Sequence, residues 1–344
     1  MKKIIPIFLS AVMLLSSCAK NVSVETRALE AQALASYMEK YYSGAYEKTT
    51  MGAYVFTADE IPGTGAQFGD QAYIRVDYTT EDRAGRLVMS TLADVNRKNH
   101  LFNSRYYYGP QVMNCAENSL KAGVEELIMG SGTTLGPMKI GGTRKALIPG
   151  WLMTVNRHGS EAEYIKNVSG TEAVYTVTLV DAFTDEEKWE KDSLARFIAA
   201  NYPGAVEDSE IGGGWYYVVT RAASGTGLLA ADSTVYCNYT LRDLAGRVID
   251  TNVEKVARDN DFYSSSSKYV PALINWNSDY RKITMTTSET DVVDGFANAF
   301  LHMHQYEAGT AIFWSGLGYS STGSGSLVPA YSPLCFDIEL TKKP

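Results

Sequence analysis

Few side chains in this sequence are spaced for metal, phosphate or nucleophilic chemistry. His302 and His304 flank Met303, and residues at i and i+2 on a helix point apart, which disfavours a shared metal ion. No Cys/His pair has the spacing of zinc ligands. The glycine-rich stretches 130–132 and 323–325 lack the Lys-Ser/Thr of a phosphate loop. We therefore expect no metal, no cofactor, and a chemistry that needs neither.

The last fifty residues carry the most specific pattern in the chain. A Val-Val-Asp-Gly-Phe segment at 292–296 is followed by Tyr319, by Leu-Val-Pro at 327–329, and by Leu-Cys-Phe-Asp-Ile-Glu-Leu at 334–340. In this order and spacing they resemble the C-terminal half of FKBP-type peptidyl-prolyl isomerases. That family has a V-I-x-G-W helix start, a tyrosine in A-Y-G, a loop closing in I-P-P and a last strand close to L-V-F-D-V-E-L. The resemblance implies an FKBP-like fold with one apolar pocket.

The reaction implied by this resemblance is rotation about the amide bond before proline. Its barrier of about 18–20 kcal/mol arises from amide resonance. Twisting the amide breaks the resonance that charges the carbonyl oxygen, so the twisted state is less polar than the planar one. An aromatic pocket that excludes water, with a few placed hydrogen-bond donors, should favour the twisted state. The expected partners are proline-containing polypeptides.

Carried over position by position, the family's pocket falls in the second half of the chain. The resemblance implies these catalytic positions: Tyr239, Asp250, Phe296, Tyr319 and Phe336. It implies these substrate-binding positions: Ile249, Val292, Val293, Leu327 and Val328. Several of the apolar residues would also serve as ordinary core, whereas Tyr239, Asp250 and Tyr319 each carry a polar group that needs a partner if buried.

The sequence departs from the family pattern at several places around this pocket, including the loss of the family's Ile-Pro before the tyrosine, where this chain has Phe313-Trp314-Ser315. Ile249 replaces a phenylalanine, and Phe296 replaces the tryptophan of the pocket floor, so the pocket should be less aromatic. The segment between Asp250 and Val292 is longer than usual, and its residues 262–287 are rich in aromatics. In the family this region is a flap beside the pocket, so we expect an enlarged flap.

The chain contains the same domain twice. Residues 76–79 match 237–240, and Ala-Gly-Arg at 84–86 matches 245–247, with an offset between 160 and 163 throughout. This period is too long for a solenoid. We predict the following organisation: a signal peptide at 1–17, an N-terminal helix at 22–44, a degenerate FKBP-like domain at 45–183, a connecting helix and linker at 184–211, and an FKBP-like domain with a retained pocket at 212–344.

The first copy lacks the residues that the pocket chemistry needs. It keeps Tyr78, but Met89 replaces the aspartate, Val124 replaces the floor aromatic, and Thr154 stands at the position of the second tyrosine. We therefore expect no isomerase chemistry there. Three roles remain open for it: binding a peptide, packing on the second copy, or spacing the second copy from a membrane.

The pattern of apolar residues predicts an α+β fold for each copy. Amphipathic helices are predicted at 25–42 and 185–201, one before each domain. In the second copy, strand-like segments precede a short helix at about 289–304, and two more strands follow. This order predicts an antiparallel sheet wrapped on a short helix in each copy. That arrangement agrees with the two tandem FKBP-like domains that the resemblance implies.

The N-terminus resembles the signal of a bacterial lipoprotein. Lys2 and Lys3 precede a short apolar stretch, and Leu-Ser-Ser at 15–17 precedes Cys18. We expect Cys18 to be acylated, and several acyl chains on one cysteine anchor stably where a single chain does not. The alternative is an ordinary secretory peptide with an incidental Cys18. The expected location is the cell envelope, lipid-anchored at the outer membrane and facing the periplasm or the exterior.

The charge of the chain excludes one class of partner. The formal net charge is −8, so the chain is a poor partner for nucleic acid. Our leading hypothesis is a membrane-anchored FKBP-type isomerase or folding chaperone for exported proteins, with its pocket in the second domain. The alternative is a non-catalytic FKBP-like protein-binding lipoprotein. A glycan-binding lipoprotein is a third hypothesis, without specific support.

Overall fold

The structure is a computed structural model of the 344-residue chain. It describes residues 15–116, 118–131, 135–224, 227, 229, 234–285 and 290–344. Residues 1–14, most of the predicted signal peptide, lie outside these ranges. The chain forms two compact units. The first contains residues up to 99 and 113–184, and the second contains 100–112 and 185–344.

The first unit is an antiparallel sheet with a short helix on it. Its elements are α1 (Leu15–Tyr42), β1 (Tyr46–Lys48), β2 (Tyr54–Phe56), β3 (Tyr73–Glu81), β4 (Leu87–Ser90), α2 (Ala93–Lys98), β5 (Gln111–Asn114), α3 (Ala122–Met129), β6 (Thr143–Ile148), α4 (Glu161–Asn167) and β7 (Ala173–Phe183). The strand order is β1-β2-β6-β7-β3-β4, and β5 also pairs with β3. The last strand, β7, therefore lies between β6 and β3.

The second unit repeats this arrangement with more strands. Its elements are α5 (Glu186–Asn201), β8 (Val206–Glu207), β9 (Trp215–Arg221), β10 (Thr234–Arg242), β11 (Val248–Thr251), α6 (Glu254–Asp259), β12 (Ala272–Asn275), β13 (Thr284–Met285), β14 (Thr290–Asp291), α7 (Asp294–His302), β15 (Ala308–Phe313) and β16 (Leu334–Thr341). The strand order is β14-β13-β12-β10-β16-β15-β9-β8, and β11 pairs with β10. The predicted α+β class with two antiparallel sheets is confirmed.

A glycine at the start of α3 and of α7 lets each helix pack closely on its sheet. A Cβ on Gly295 would lie 2.3 Å from the Phe313 ring, and one on Gly123 would lie 2.3 Å from Cγ2 of Ile148. The carbonyl oxygen of Gly295 also accepts a hydrogen bond from the buried indole of Trp215 at 2.8 Å. The glycine in the Val-Val-Asp-Gly-Phe segment is therefore required by helix–sheet packing, independently of any chemistry.

The two copies keep a constant offset in residue number over a long stretch. The elements β3, β4, α2 and β5 each begin and end 161 residues before β10, β11, α6 and β12. The extra length of the second copy comes after β12, where β13 and β14 form a short pair that adds to the sheet edge. The longer segment expected between Asp250 and Val292 is thus an extension of the sheet edge, while residues 261–271 keep the length of their counterpart.

The helix that carries Phe296 is shorter than expected from the sequence. It was predicted over about 289–304, but α7 begins at Asp294 and ends at His302. Val293 is extended (φ −61°, ψ 141°), and its carbonyl accepts from the backbone N–H groups of Phe296 and Ala297. The strand β14 immediately before it holds this part of the chain extended. Val292 and Val293 therefore lie on the approach to the helix.

The helix that precedes the second sheet is attached by apolar and polar contacts. Glu190, Leu194 and Ile198 of α5 are buried at i, i+4 and i+8, on one face. The Glu190 carboxylate accepts from the backbone N–H of Ser315 at 2.6 Å and from its hydroxyl at 2.7 Å. This contact fixes the turn that leads from β15 towards Tyr319.

In the described part of the chain, no helix combines the length and the apolar character that a membrane span requires.

Candidate functional site

The centre of the candidate site is a hydrogen bond between two side chains on neighbouring strands. The Tyr239 hydroxyl on β10 donates to Oδ2 of Asp250 on β11 at 2.8 Å. In the strand register Leu241 lies opposite both Asp250 and Phe336, and Tyr239 shares its face because it lies two residues away. Burial and the Asp250 charge raise the pKa of Tyr239 far above its ordinary value, so the hydroxyl keeps its proton.

The Tyr239 ring packs against an aromatic cluster formed by Phe296, Phe313 and Phe336. The rings of Phe296 and Phe336 are 4.7 Å apart, and that of Tyr239 lies 5.9 Å from the first and 6.2 Å from the second. Phe313 stacks behind Phe336 at 5.9 Å. Phe296 and Phe336 are only 3% and 6% exposed. They therefore support the Tyr239 ring and also form part of the core.

Tyr319 supplies a hydroxyl close to the same carboxylate. It follows a short 3-10 turn at Ser315–Leu317 and packs half-buried against the second unit's core. Burial raises the pKa of Tyr319, and the Asp250 charge raises it further. Its hydroxyl makes no hydrogen bond to any described residue, so this protonated donor is available for a ligand.

The predicted substrate-binding residues belong to the hydrophobic cluster that also contains Tyr239, Phe296 and Phe336. Ile249 and Val328 are buried in the same core cluster, and Val292, Val293 and Leu327 pack on it half-buried. The structure thus brings all ten predicted positions of the second copy into one neighbourhood. Their roles in binding or catalysis stay predictions.

A cavity of about 430 Å³ opens beside the Tyr239–Asp250 pair. Its walls include Phe262, Ser264, Lys268 and Tyr269 from the loop between α6 and β12, together with Arg105, Asn252 and Met285. Trp276, which could have filled the site, is instead fixed by a hydrogen bond from its indole to the carbonyl of Phe300 at 3.0 Å. The flap therefore forms one wall of an open cavity. Of the ten predicted positions, Tyr239 and Asp250 line this cavity, and the other eight do not.

The first unit has a cavity of its own beside Tyr78 and Met89, the counterparts of Tyr239 and Asp250. It measures about 500 Å³, and its lining is mainly apolar: Val76, Tyr78, Val88, Met89, Met113, Leu120, Val124, Ile128, Met153, Tyr175 and Val177, with a few polar residues at the edge. The Tyr78 hydroxyl lies 3.3 Å from the sulfur of Met89, in place of the tyrosine–aspartate pair. The replacements in the first copy thus changed the chemistry of the pocket without closing it.

No group of three or more His, Cys, Asp or Glu side chains in the described ranges is arranged to hold a metal ion.

Comparison with known proteins gives one family. Residues 228–341, about a third of the chain, match the family of FKBP-type peptidyl-prolyl cis-trans isomerases. The matched segment contains the whole candidate site apart from Arg105. The second unit of this chain therefore resembles an FKBP-type isomerase, as expected from its last fifty residues. No curated protein matches the sequence significantly.

Several solved structures match parts of this chain at low similarity. The peptidyl-prolyl cis-trans isomerase of Pseudomonas syringae pv. tomato str. DC3000 is 20% identical over 45% of this chain and 93% of its own, with a TM-score of 0.30. FkpA from Escherichia coli is 20% identical over 46% of this chain and 59% of its own, with a TM-score of 0.32. The three FKBP domains of wheat FKBP73 are 12% identical over 84% of this chain and 94% of theirs, with a TM-score of 0.29.

Sequence reasoning missed two residues that bear on the site. Arg105 lies in the first copy by sequence, and nothing in its local pattern indicates that residues 100–112 belong to the second unit. Glu190 was not singled out in the predicted amphipathic helix at 185–201, and the structure shows it buried against Ser315. The available signal was the spacing, since Glu190 precedes the apolar residues Leu194 and Ile198 by four and eight positions and so lies on their face of the helix.

Proposed function

We propose that the second unit is a peptidyl-prolyl cis-trans isomerase acting on exported polypeptides. The observation that carries the proposal is the Tyr239–Asp250 pair, resting on Phe296 and Phe336 beside an open cavity. It lies within the segment that matches the family. No nucleophile or metal is required, because the reaction makes and breaks no covalent bond.

The arrangement supports catalysis through differential stabilisation of the twisted amide. Proline and the preceding peptide bond would pack against the aromatic rings, where the loss of amide polarity on twisting is favourable. The Tyr239 proton is directed at Asp250, so Tyr319 is the hydroxyl that would donate to a substrate carbonyl. Each 1.4 kcal/mol by which these contacts favour the twisted state corresponds to about a tenfold higher rate.

The test is a peptide isomerisation assay on the full mature chain. We expect saturable acceleration of the cis-to-trans conversion of a short proline-containing peptide. The variant Asp250→Met, which copies the residue of the first unit, should lower kcat/KM while the chain remains folded by circular dichroism. An absence of acceleration by a normally folded wild-type chain would refute the isomerase proposal and favour a non-catalytic binding module.

A second function, binding of unfolded polypeptide, is favoured by the cavity of the first unit. Three of its lining residues, Met89, Met113 and Met153, are methionines. Methionine is flexible and polarisable, and it is common on surfaces that accept varied apolar partners. We propose that this cavity holds bulky apolar side chains of client proteins without regard to proline, as a chaperone site would.

Filling that cavity tests the chaperone role. Val124 is 7% exposed and lines the cavity, so Val124→Phe should occupy it and weaken binding of a proline-free apolar peptide. Val155 is 41% exposed and lies outside the lining, so Val155→Phe is the matched control. Equal affinities for the wild type and Val124→Phe would count against the proposal.

We further propose that the chain is held at the cell envelope by lipid on Cys18. The support is the sequence pattern of residues 2–18, and Cys18 itself lies within α1. The helix continues to Tyr42 and would follow directly on the anchor. A lipid-anchored isomerase would meet its clients as they emerge on the far side of the membrane.

A further inference from the structure

The candidate cavity of the second unit is bordered by two loops with the same internal structure. We call residues 100–110 the first flap and residues 261–271 the second flap. In the first flap the backbone N–H of Asn103 donates to the Tyr108 hydroxyl at 2.9 Å, and in the second that of Ser264 donates to the Tyr269 hydroxyl at 3.0 Å. Each flap also contains a stacked aromatic pair. The ring centres are 5.1 Å apart for Phe102 and Tyr108 in the first flap and 5.4 Å apart for Tyr263 and Tyr269 in the second. The repeat has thus supplied the second unit with two copies of one loop.

The first flap is held by residues at the edge of the candidate site. Arg247 donates from Nη1 to the carbonyl of Arg105 at 2.6 Å and from Nη2 to the carbonyl of Leu327 at 2.7 Å. The backbone N–H of Tyr107 donates to the carbonyl of Ser326 at 2.9 Å. The first flap is therefore tied to the 326–327 loop, one of the predicted substrate-binding segments, and its position depends on that loop.

This attachment brings the Arg105 side chain into the cavity. Its Nη2 donates to the carbonyl of Ile249 at 3.2 Å, and its guanidinium lies 4.9 Å from the centre of the Phe262 ring. Its Nε is buried and has no hydrogen-bond partner among the described residues. The residue at the equivalent place in the second flap is Ser266. Arginine at this place is therefore a feature of the first flap alone.

The charges that line the cavity favour an anion. Arg105 and Lys268 are cationic, and Lys268 is exposed with no ion-pair partner in the described ranges. Asp250 is the lining carboxylate, and it already accepts a hydrogen bond from the Tyr239 hydroxyl. A guanidinium that is partly buried and stacked on a ring is preorganised to bind a carboxylate, because it loses little freedom on binding.

We propose that Arg105 is a substrate-binding residue of the second unit and that it selects polypeptides with an acidic side chain next to the proline. The proposal rests on the isomerase function inferred above and names its substrate class. The carboxylate would lie between the guanidinium of Arg105 and the ammonium of Lys268, while proline packs near Tyr239. Residues contributed by the repeated flap would then complete the site.

The experiment compares peptides that differ only in charge, using the full mature chain. Binding is measured by fluorescence anisotropy for proline peptides carrying Glu, Gln or Lys at either of two positions on each side of the proline. We expect one Glu peptide to bind roughly fivefold more tightly than its Gln counterpart, a ratio typical of a favourable, partly exposed ion pair. Arg105→Gln should bring that ratio close to one. Arg281→Gln should leave it unchanged, because Arg281 is exposed on the same unit and lies outside the cavity lining.

Binding and catalysis are read separately so that the two proposals can fail separately. If the chain prefers a Glu peptide but does not accelerate isomerisation, the binding role of Arg105 is supported and the isomerase proposal is refuted. Isomerisation without a Glu preference at any position would refute the role of Arg105, as would an equal preference in Arg105→Gln. If that variant does not fold, wild-type salt dependence decides: raised salt should weaken the Glu peptide selectively, and an equal effect on the Gln peptide would overturn the proposal.

Discussion

Replacing Glu190 by Gln should remove a pH dependence from the stability of the second unit. Glu190 is 1% exposed, and burial raises the pKa of its carboxyl from 4.5 to about 7. The two hydrogen bonds from Ser315 and the charge of Lys191 oppose this rise, and the charge of Glu186 adds to it. Gln can keep both contacts, since its oxygen accepts from the Ser315 N–H and its amide donates to the hydroxyl.

The magnitude follows from the pKa difference. Between pH 4.5 and about 7 the folded protein binds a proton at Glu190 that the unfolded chain has released. The stabilisation is therefore complete below pH 4.5 and is lost as pH rises through about 7. At about 1.4 kcal/mol per tenfold change in proton affinity, the loss is about 3 kcal/mol. The variant should not show this loss.

Urea unfolding of wild type and Glu190→Gln at intervals from pH 4.5 to 8 measures the effect. We expect the free energies of unfolding to diverge by about 3 kcal/mol across this range in favour of the variant. Leu194→Ala, on the same face of α5, should lower stability by about 2–5 kcal/mol without changing the shape of the pH curve. Parallel curves for wild type and Glu190→Gln would refute the argument, because they would mean that Glu190 has the same proton affinity in the folded and unfolded chains.

Three further predictions concern the site and the anchor. Tyr319→Phe should lower kcat/KM roughly two- to tenfold, the value of one hydrogen bond, whereas Tyr306→Phe, on an exposed tyrosine, should not; equal activities would exclude Tyr319 as a donor. Phe336→Ala should abolish activity and cost about 3–5 kcal/mol of stability, while Met89→Leu should leave activity intact; equal losses in the isomerisation assay would mean that the active unit was wrongly assigned. Cys18→Ser should move the protein from the membrane to the aqueous fraction, and retention at the membrane after fractionation would contradict the lipid anchor.

Much of the fold could be predicted because its signals are local. Alternating residues such as Cys237 and Tyr239 predict strands, and the repeat predicts two domains with one topology. The Val-Val-Asp-Gly-Phe segment indicated the helix, although its first turn was placed several residues too early. That boundary depends on the pairing of β13 with β14, a contact that hydrophobic periodicity does not report.

The candidate site was predictable only as a set of positions. Tyr239, Asp250 and Phe336 lie far apart in the chain, and the resemblance to a family grouped them. Their actual arrangement depends on strand register, which places Leu241 opposite both Asp250 and Phe336. The cavity of the first unit was not foreseen, because the loss of polar pocket residues says nothing about whether the space they lined is still open.

By itself, the sequence determined the family resemblance, the two copies and the candidate positions of the second pocket, since each depends on residue types in a fixed order. Only the tertiary structure decided that residues 100–112 join the second unit and that Arg105 enters its cavity. The physical reason is that this placement involves a few long-range hydrogen bonds to backbone carbonyls, from Arg247 to Arg105, from Arg105 to Ile249 and from Tyr107 to Ser326. Carbonyl groups are present at every residue, so no pattern of side chains along the chain identifies which of them will be used.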